Sequence, residues 1–386
     1  MTQNIPLSEP VFRGNEWKYI KECLDTGWVS SAGSFVERFE NTVAEYTGCT
    51  HAVATVNGTS ALHVSLVANG ITYGDEVIVP TLTFVAPVNA VRYCGADPVF
   101  MDCDKDTLCM DVEKLKGFLE ENTYIGKDNL TYNKNSKKPV KAIIPVHVFG
   151  HPSDMDSLLE IAGQYNLIII EDASESLGSE YKGRKAGSFG HIGCFSFNGN
   201  KIVTSGGGGM VVTNNEILAK KIRHLTTQAR TDPFEYDHDE VGYNYRLTNI
   251  QAAMGVAQME KLDEFVSLKR KNAMLYRDML AGLDDVEFLW EKAGSKSNFW
   301  MYTIRVHKEH KKALIEYLLA KNIQVRPIWK LMHTLPMYKG FQVYAIDKAI
   351  KAYESCINLP CSVSLKQEEV EYVSNNIANY FLGLKR

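Results

Sequence analysis

The sequence has no large surplus of charge of either sign and no long apolar run. Its 386 residues include 42 lysines and arginines against 46 aspartates and glutamates, which gives a net charge of −4. A strongly basic surface is therefore not expected, and nucleic acid is not an expected partner. No apolar run approaches the roughly 18 residues of a membrane span, and the N-terminal residues lack the charged start and apolar core of a signal peptide. The sequence therefore predicts a cytoplasmic protein without a membrane partner.

Paired cysteines and a dinucleotide-binding glycine motif are also missing. The eight cysteines include no CxxC pair, so we expect reduced, mostly buried thiols and no metal site. No GxGxxG sequence opens a helix after a strand, which argues against a Rossmann dehydrogenase. Both absences argue against a zinc protein and against a dinucleotide-dependent enzyme.

Short runs rich in β-branched residues alternate with helical patterns along the first half of the chain. Most of these runs are apolar on both faces, as buried parallel strands are. Helical patterns fall between them, for example at 60–70 and at 153–166, where Ser153 is the expected N-cap. The expected strands cover residues 51–56, 75–80, 97–102, 141–150, 166–174 and 193–199. This alternation predicts an α/β fold with a mostly parallel sheet.

The remaining segments predict a loop, a long helix and a set of smaller elements. Residues 119–140 are polar and rich in asparagine and lysine, which is typical of a surface loop or insertion. Residues 250–282 form one long helical pattern. Beyond them, strand patterns at 301–306 and 323–328 flank a helical pattern at 310–322.

The length of the chain suits two or three domains of about 150 residues each. We expect a large domain over residues 15–255 and a smaller α+β domain over residues 256–386. Residues 1–14 are expected to pack near the smaller domain.

A single lysine stands between a polar turn and four consecutive glycines in the stretch FSFNGNKIVTSGGGGMVVTNN, residues 195–215. Glycine runs are entropically costly in regular elements, and the apolar sequences FSF and MVVT on either side predict strands. Lys201 is therefore presented between two strands, beside backbone that turns tightly or approaches something closely. An isolated lysine is usually a solvated surface residue, but a partly desolvated amine has a lowered pKa and can form an imine.

Three further features lie at the expected ends of strands, and each has a purely structural alternative. Asp172 ends a buried strand, where ligands bind in open α/β sheets, or it is a helix cap or loop acid. The stretch NGTS, residues 57–60, leads into a helix whose free amides can bind phosphate, unless Thr59 or Ser60 is an ordinary N-cap. Phe84 follows another strand and either stacks on a planar ring or belongs to the core.

Together these residues describe one chemistry. A phosphate cradle, an aromatic face, an acid and an amine at strand ends are what pyridoxal 5′-phosphate needs. Its aldehyde condenses with a lysine, and its pyridine nitrogen needs an acid partner to act as an electron sink. The sequence therefore predicts an enzyme that uses this cofactor.

The same residues lie in six motifs that resemble those of the DegT/StrS family of nucleotide-sugar aminotransferases, and the resemblance covers nearly the whole chain. The motifs are NGTSALHVSL (57–66), PTLTFVAPVNAV (80–91), EDASESLGS (171–179), FSFNGNK (195–201), GYNYRLTNIQAA (242–253) and VRPIWKLMHTLPMY (325–338). The resemblance implies fold type I of the pyridoxal phosphate enzymes. That fold has a large domain with a mostly parallel seven-stranded sheet flanked by helices, and a smaller C-terminal α+β domain.

The resemblance also implies roles for single residues. Lys201 resembles the lysine that bonds to the cofactor and shuttles the proton, and Asp172 resembles the partner of the pyridine nitrogen. Asn244 matches an asparagine that reaches the phosphate from the neighbouring subunit, which implies a homodimer with a shared active site. The expected cofactor-binding residues are Gly58, Thr59, Ser60, Phe84, Asp172, Glu175, Ser196, Lys201 and Asn244, and the expected substrate-binding residues are Arg326, Trp329, Lys330 and His333.

Two departures from the common family pattern indicate a branch. Glu175 stands where many members carry glutamine, and Gly206–Gly209 stands where many carry Gly-Glu-Gly-Gly. Both variants are similar to those of the branch that aminates C4 of UDP-linked 4-keto-6-deoxy-N-acetylhexosamines for bacillosamine-type and legionaminic-type sugars of bacterial glycans. The resemblance therefore implies transfer from L-glutamate to such a sugar, with pyridoxamine phosphate as the intermediate form of the cofactor.

Other functions stay open on these motifs. A C3-aminotransferase, or an enzyme for a GDP- or dTDP-linked sugar, would carry the same residues. A dehydratase of the family has histidine in place of the lysine, so Lys201 argues against it. A regulator that binds the cofactor without turnover usually carries a fused DNA-binding module, and no basic helix-turn-helix pattern is visible.

Overall fold

The computed structural model describes residues 4–232 and 234–384. The helices among them are α1 (Glu16–Thr26), α2 (Ser34–Thr47), α3 (Gly58–Ala68), α4 (Val85–Tyr93), α5 (Val112–Asn122), α6 (Met155–Gln164), α7 (Glu216–Thr226), α8 (Asn249–Met259), α9 (Leu262–Leu280), α10 (Lys308–Ala320), α11 (Lys348–Ser355) and α12 (Gln367–Leu384). The strands are β1 (His51–Thr55), β2 (Glu76–Pro80), β3 (Asp97–Met101), β4 (Thr123–Ile125), β5 (Thr131–Asn133), β6 (Pro139–Ile143), β7 (Ile168–Asp172), β8 (Glu180–Tyr181), β9 (Arg184–Lys185), β10 (Ile192–Ser196), β11 (Gly209–Thr213), β12 (Val286–Phe288), β13 (Ser295–Lys296), β14 (Tyr302–Val306), β15 (Arg326–Pro327), β16 (Val343–Tyr344) and β17 (Cys356–Leu359).

The large sheet of the described residues contains ten strands, and most neighbouring strands run parallel. Eight of them follow the order β1-β11-β10-β7-β6-β2-β3-β16, and the β4–β5 hairpin pairs with β6. Strand β11 is antiparallel to both of its neighbours. All residues of β2 and of β11 are buried, as in strands covered on both faces. The predicted α/β fold with a mostly parallel sheet is confirmed.

The sheet is wider than the seven strands expected, because the short strands β4, β5 and β16 extend it. Residues 119–140 are not a plain surface loop: α5 runs to Asn122, and β4 and β5 then form a hairpin that pairs with β6. The Asn133 side chain is buried and donates a hydrogen bond to Glu76 at 2.7 Å. Strands of two or three residues are too short to show a periodic pattern, so the sequence does not reveal them.

The helical pattern over 250–282 is two helices rather than one. Helix α8 ends at Met259 and α9 begins at Leu262. Glu260 lies at the break, where its carboxylate accepts hydrogen bonds from Tyr19 and Asn15, each at 2.7 Å. The break lets α8 pack on α1 and α2 while α9 packs on α12.

The predicted N-cap of the helix in 153–166 is wrong by one residue. Asp154 caps α6, because its side chain accepts a hydrogen bond from the Ser157 amide. Ser153 is buried instead, and its amide donates to a ring nitrogen of His147 at 3.0 Å.

The chain after α9 builds a second, antiparallel sheet in the order β12-β14-β17-β15, with α10 packed on β17 and α11 on β14. The N-terminal segment lies against this part. The Ile5 amide donates to the Asn322 carbonyl at 2.9 Å, and the Cys361 amide donates to the Leu7 carbonyl at 2.7 Å.

The division into domains at residue 255 stays a prediction. Residues 1–3 of the predicted N-terminal segment and residues 385–386 of the predicted smaller domain lie outside the described residues. No helix in the described ranges is long and apolar enough to cross a membrane. All eight cysteines are free thiols, and seven of them are buried.

Candidate active site

A cavity of about 510 Å³ opens where the parallel strands end, and its volume lies in the range of small-molecule sites. Asp172 is the last residue of β7, Ser196 is the last of β10, and Gly58 follows β1 as the first residue of α3. The carboxyl ends of parallel strands meet at one edge of a sheet, so these residues line the same opening. Trp300 and Arg326, from the region of the antiparallel sheet, also line the cavity.

Lys201 lies on the loop between β10 and β11, with its amine inside the cavity. Its amide donates to the Asn198 carbonyl at 3.0 Å, which shapes the turn. The side-chain nitrogen lies 3.5 Å from Oε1 of Glu175 and 3.9 Å from the centre of the Trp300 ring. The side chain is only 13 % exposed. The predicted placement between two strands is found, and the amine is largely withdrawn from water.

Asp172 presents a buried carboxylate to the same cavity. Its Oδ1 accepts the Ser174 amide at 3.1 Å. Burial raises the pKa of Asp172, while the positive charge of Lys201 opposes that effect. Since a cation beside the carboxylate favours its ionised form, the acid is suited to stabilise a positively charged ligand group.

Glu175 is the second buried acid of the cavity. Its Oε2 accepts the Phe149 amide at 2.8 Å, and its Oε1 faces Lys201. Burial raises the pKa of Glu175 to about 7, although Lys201 acts in the opposite direction. Phe149 has a φ of +56°, a left-handed conformation that a bulky residue adopts only at a cost of about 1–3 kcal/mol.

The N-cap of α3 is neither Thr59 nor Ser60, the two residues expected as ordinary caps. The Asn57 side chain accepts the Ser60 amide at 2.8 Å, so Asn57 is the N-cap. Thr59 lines the cavity and Ser60 does not. The Ser60 amide therefore already has a partner within the turn, and the phosphate contact expected of Ser60 stays a prediction.

The glycine run packs against this turn as well as lining the cavity. The Gly208 amide donates to the Val56 carbonyl at 2.9 Å, and Gly208 has a φ of +109°. A Cβ added to Gly209 would lie 2.5 Å from the Asn57 backbone. The run therefore brings β11 close to the turn before α3, and Gly207 and Gly208 reach the cavity wall.

Aromatic rings line much of the cavity. Phe84 is 53 % exposed, so the core alternative for this residue is wrong. Its ring centre lies 6.2 Å from that of Trp329, which in turn lies 4.6 Å from that of Phe149. These rings form an apolar wall against which a planar ligand can stack.

The structure does not bring every predicted residue to the cavity. Arg326 and Trp329 line it, whereas Lys330 and His333 do not. Lys330 is exposed, and a ring nitrogen of His333 lies 2.6 Å from the Thr81 hydroxyl. Asn244 is also exposed and away from the cavity, on backbone that pairs with Thr227.

The sequence reasoning missed several lining residues. Trp300 and Asn358 come from distant segments whose local patterns indicate only a strand or a core position. Thr83 stands directly before Phe84, and its buried hydroxyl has no hydrogen-bond partner among the described residues. Its position next to Phe84 was the one local signal that could have identified Thr83 as a lining residue. Leu7, from the N-terminal segment, also lines the cavity, and no local pattern indicated this.

The arrangement can hold a planar ligand that bears an anionic group and a carbonyl. The amine can attack a carbonyl carbon and carry a proton. The two acids can stabilise positive charge, and the hydroxyls of Thr59 and Ser196 can donate to an anion. The amine, the acids and the hydroxyls are residues that the sequence predicted, whereas Trp300, whose ring centre lies 3.9 Å from the amine, was not predicted.

Comparison with known proteins gives a consistent result. The model of the DegT/DnrJ/EryC1/StrS aminotransferase family matches residues 11–378. The GDP-perosamine synthase of Escherichia coli O157:H7 is 41 % identical, over 98 % of both chains. A putative pyridoxal phosphate-dependent aminotransferase of Bacillus subtilis, EpsN, is 38 % identical over 96 % of this chain and 94 % of its own. The structure of Helicobacter pylori PseC, an aminotransferase involved in the biosynthesis of pseudoaminic acid, superposes with a TM-score of 0.89 at 26 % identity, over 99 % of this chain and 100 % of that one.

Proposed function

The chain belongs to the DegT/DnrJ/EryC1/StrS aminotransferase family, and from that premise we propose that it transfers an amino group from L-glutamate to C4 of a nucleotide-linked 4-keto-6-deoxy sugar. Membership confirms the predicted enzyme class, a sugar aminotransferase, and the predicted cofactor, pyridoxal 5′-phosphate. The donor, the position on the sugar and the nucleotide belong to the proposal.

The observation that carries the proposal is the placement of Lys201 and Asp172 in one cavity. Their two strands, β10 and β7, are parallel neighbours, so the amine and the acid approach a ligand from the same sheet edge. Amino-group transfer needs a primary amine that changes protonation state and an acid that holds positive charge. Both groups are present and nearly withdrawn from water.

The residues of this chain fit the cofactor. A Cβ added to Gly58 would lie 2.8 Å from the Ser196 Cβ, so the turn before α3 and the end of β10 approach closely enough to face one phosphate. Phe84 offers an exposed ring face and Asp172 a buried carboxylate. When bound, pyridoxal 5′-phosphate supplies an aldehyde that condenses with an amine and a ring that acts as an electron sink.

Each side chain then has a defined task. Lys201 holds or moves the proton that must change position during transfer. Asp172 stabilises the positive charge of a protonated ring nitrogen, since opposite charges favour each other's ionised forms. Arg326 is exposed on the cavity wall and has no ion pair among the described residues, so it is available to bind an anionic part of the donor or of the nucleotide sugar.

The next question is which nucleotide the sugar substrate carries. The sequence motifs favour a UDP-linked N-acetylhexosamine, and this substrate stays a prediction. The relative from Escherichia coli is named for a GDP-linked product, which favours the GDP alternative. In either case the product would serve bacterial surface glycan synthesis in the cytoplasm.

The homodimer with a shared site is part of the same proposal. Asn244 is exposed and lies outside its own cavity. A residue that contacts the phosphate from a neighbouring subunit must be available at the surface of its own chain. This arrangement would leave a monomer inactive.

Absorbance of the cofactor-loaded protein tests the proposal. The band of the loaded protein should shift when L-glutamate is added and return only when a suitable sugar is added. UDP- and GDP-linked 4-keto-6-deoxy sugars are supplied in parallel, and NMR of the product separates C4 from C3. Lys201→Ala should give no turnover, whereas Lys182→Ala, at an exposed lysine paired with Asp156, should behave as wild type. A shift with glutamate but no return with either sugar would overturn the substrate proposal and leave the class intact.

A further inference from the structure

One amine faces two buried acids in the candidate site. The side chains of Glu175 and Asp172 are each about 5 % exposed. The positive charge of Lys201 lowers the pKa of Glu175, and Asp172 adds a repelling negative charge. If all three groups were ionised, the cavity would hold an uncompensated buried negative charge, which is costly.

A proton transfer within the Lys201–Glu175 pair leaves the net charge of the cavity unchanged, so the pair can exchange a proton without creating a further uncompensated charge. When the proton of the Lys201 ammonium moves to Oε1 of Glu175, the N–H bond breaks, an O–H bond forms, and both groups become neutral. Burial favours the neutral, protonated form of the Glu175 carboxyl. Burial already places the pKa of Glu175 at about 7, so the carboxyl can hold or release the proton near neutral pH.

We propose that Glu175 is the proton partner of Lys201: it takes the ammonium proton when the amine must act as a base and returns it afterwards. The inference rests on the proposed function in one respect, namely that Lys201 acts as a base. Glu175 is a positioning residue, because it acts through Lys201. The 3.5 Å separation is typical of a contact that tightens when a site is filled.

The surroundings of Glu175 are built to hold it in this place. The Phe149 amide donates to Oε2 and leaves Oε1 for Lys201. The Asn298 side chain donates to the Glu175 carbonyl and accepts the Trp300 amide, each at 2.9 Å. One asparagine therefore fixes both groups that contact the Lys201 amine.

The groups that face Glu175 are few. Lys201 approaches from the loop after β10 and Asp172 from the end of β7. The segment with Phe149 contributes a backbone amide to Glu175, and His147 on the same segment acts on Asp172. A pH-dependent change at Glu175 therefore reports on Lys201 and Asp172.

The first test measures the amine in the protein without cofactor. Lys201 is labelled with a small amine-reactive reagent across a range of pH, and the modified peptide is quantified by mass spectrometry. In Glu175→Gln the amide still accepts the Phe149 hydrogen bond but carries no charge. The midpoint of labelling should fall by about one pH unit or more, because an opposite charge no longer supports the ammonium form. An unchanged midpoint would overturn the proposal.

The matched control is Glu180→Gln. Glu180 accepts a hydrogen bond from Lys185 at 2.7 Å, and it does not line the cavity. Its substitution should leave the labelling midpoint of Lys201 at the wild-type value. A shift as large as that of Glu175→Gln would show that the response is a general effect of charge, which would also overturn the proposal.

The second test follows the reaction of the loaded enzyme with L-glutamate alone. Glu175→Gln should slow this step by at least about tenfold at neutral pH and remove one limb of its pH profile, since the proton partner is missing. If labelling shifts but the rate and profile do not, Glu175 only sets the charge of Lys201 and the proposed exchange is wrong. Neither readout uses a nucleotide sugar, so a failure of the substrate proposal does not affect them.

An infrared measurement keeps the proposal testable if Glu175→Gln does not fold. The carbonyl band of a protonated carboxyl is recorded for wild type and Lys201→Ala over a range of pH. Removal of the cation should move the titration of this band upward by about one unit or more. A titration that is identical in both proteins would overturn the proposal.

Discussion

The amine of Lys201 lies 3.9 Å from the centre of the Trp300 ring. A cation at that distance over an indole face is stabilised by the ring's quadrupole, by about 1–2 kcal/mol where water is excluded. The Trp300 side chain is fixed in turn, because its Nε1–H donates to the Asn200 carbonyl at 2.8 Å. The lysine and its aromatic neighbour are thus held by the same loop.

Trp300→Leu should lower turnover roughly tenfold, because the Lys201 side chain loses the ring against which its amine is positioned. Trp300→Phe keeps a ring and loses only the hydrogen bond to Asn200, so its loss should be smaller. Steady-state rates at saturating donor check the order of the variants. Trp17→Leu, at a tryptophan that is 80 % exposed, is the control. Equal rates for Trp300→Leu and wild type would show that the ring does not influence the amine.

Gly58→Ala should weaken cofactor binding by about tenfold or more. The added Cβ would lie 2.8 Å from Ser196, so the turn and the end of β10 must separate at the place where the phosphate is expected. Overpacking of this kind also costs about 1–3 kcal/mol of unfolding free energy. Titration of the cofactor by fluorescence measures the first effect, and denaturant unfolding measures the second.

Gly163→Ala is the control for this substitution. Gly163 lies within α6, and an added Cβ there meets nothing within 4 Å. Alanine in a helix should raise the unfolding free energy by about 0.5–1 kcal/mol and leave cofactor affinity unchanged. If both variants bind the cofactor as wild type does, the proposed phosphate cradle is wrong.

The stability of the cofactor-free protein should depend on pH through Glu175. Its folded pKa of about 7 lies above the ordinary value of 4.5, so the folded state holds the proton more tightly than the unfolded state. The stabilisation is complete below about pH 4.5 and is lost as pH rises through 7, at up to about 1.4 kcal/mol per pH unit. Glu175→Gln removes this contribution. Its unfolding free energy relative to wild type should therefore be higher at about pH 8 than at about pH 5, as urea titrations can show. A difference that is constant with pH would contradict the raised pKa.

Two inactive variants should complement each other if the site is shared between subunits. Lys201→Ala removes the amine, and Asn244→Ala removes the side chain that is expected to contact the cofactor phosphate in the neighbouring subunit. In a mixed dimer, one site carries both substitutions and the other carries neither. Random reassortment should then restore about a quarter of the wild-type activity. Unmixed variants are the control, and a mixture that stays inactive would argue that each chain completes its own site.

Much of the candidate site could be predicted because its residues lie at or shortly after the ends of strands. Asp172 follows an apolar run, and Lys201 stands beside a glycine run, so both signals are local. The structure corrected the turn before α3, where Asn57 rather than Thr59 or Ser60 is the cap. Several side chains can cap a helix equally well in sequence terms, and only the backbone conformation selects one.

The sequence by itself determined the class of fold and the family, and it pointed to an amine and an acid that the structure brings to one cavity. Buried strands and glycine turns leave local patterns because burial and backbone conformation restrict which residues are allowed. Only the tertiary structure decided which groups meet the amine. Trp300 lies almost a hundred residues from Lys201 in sequence, and Phe149, whose backbone is left-handed and whose amide donates to Glu175, comes from a segment 26 residues before that acid. Such contacts depend on how separate elements pack, and no local pattern of residues encodes that.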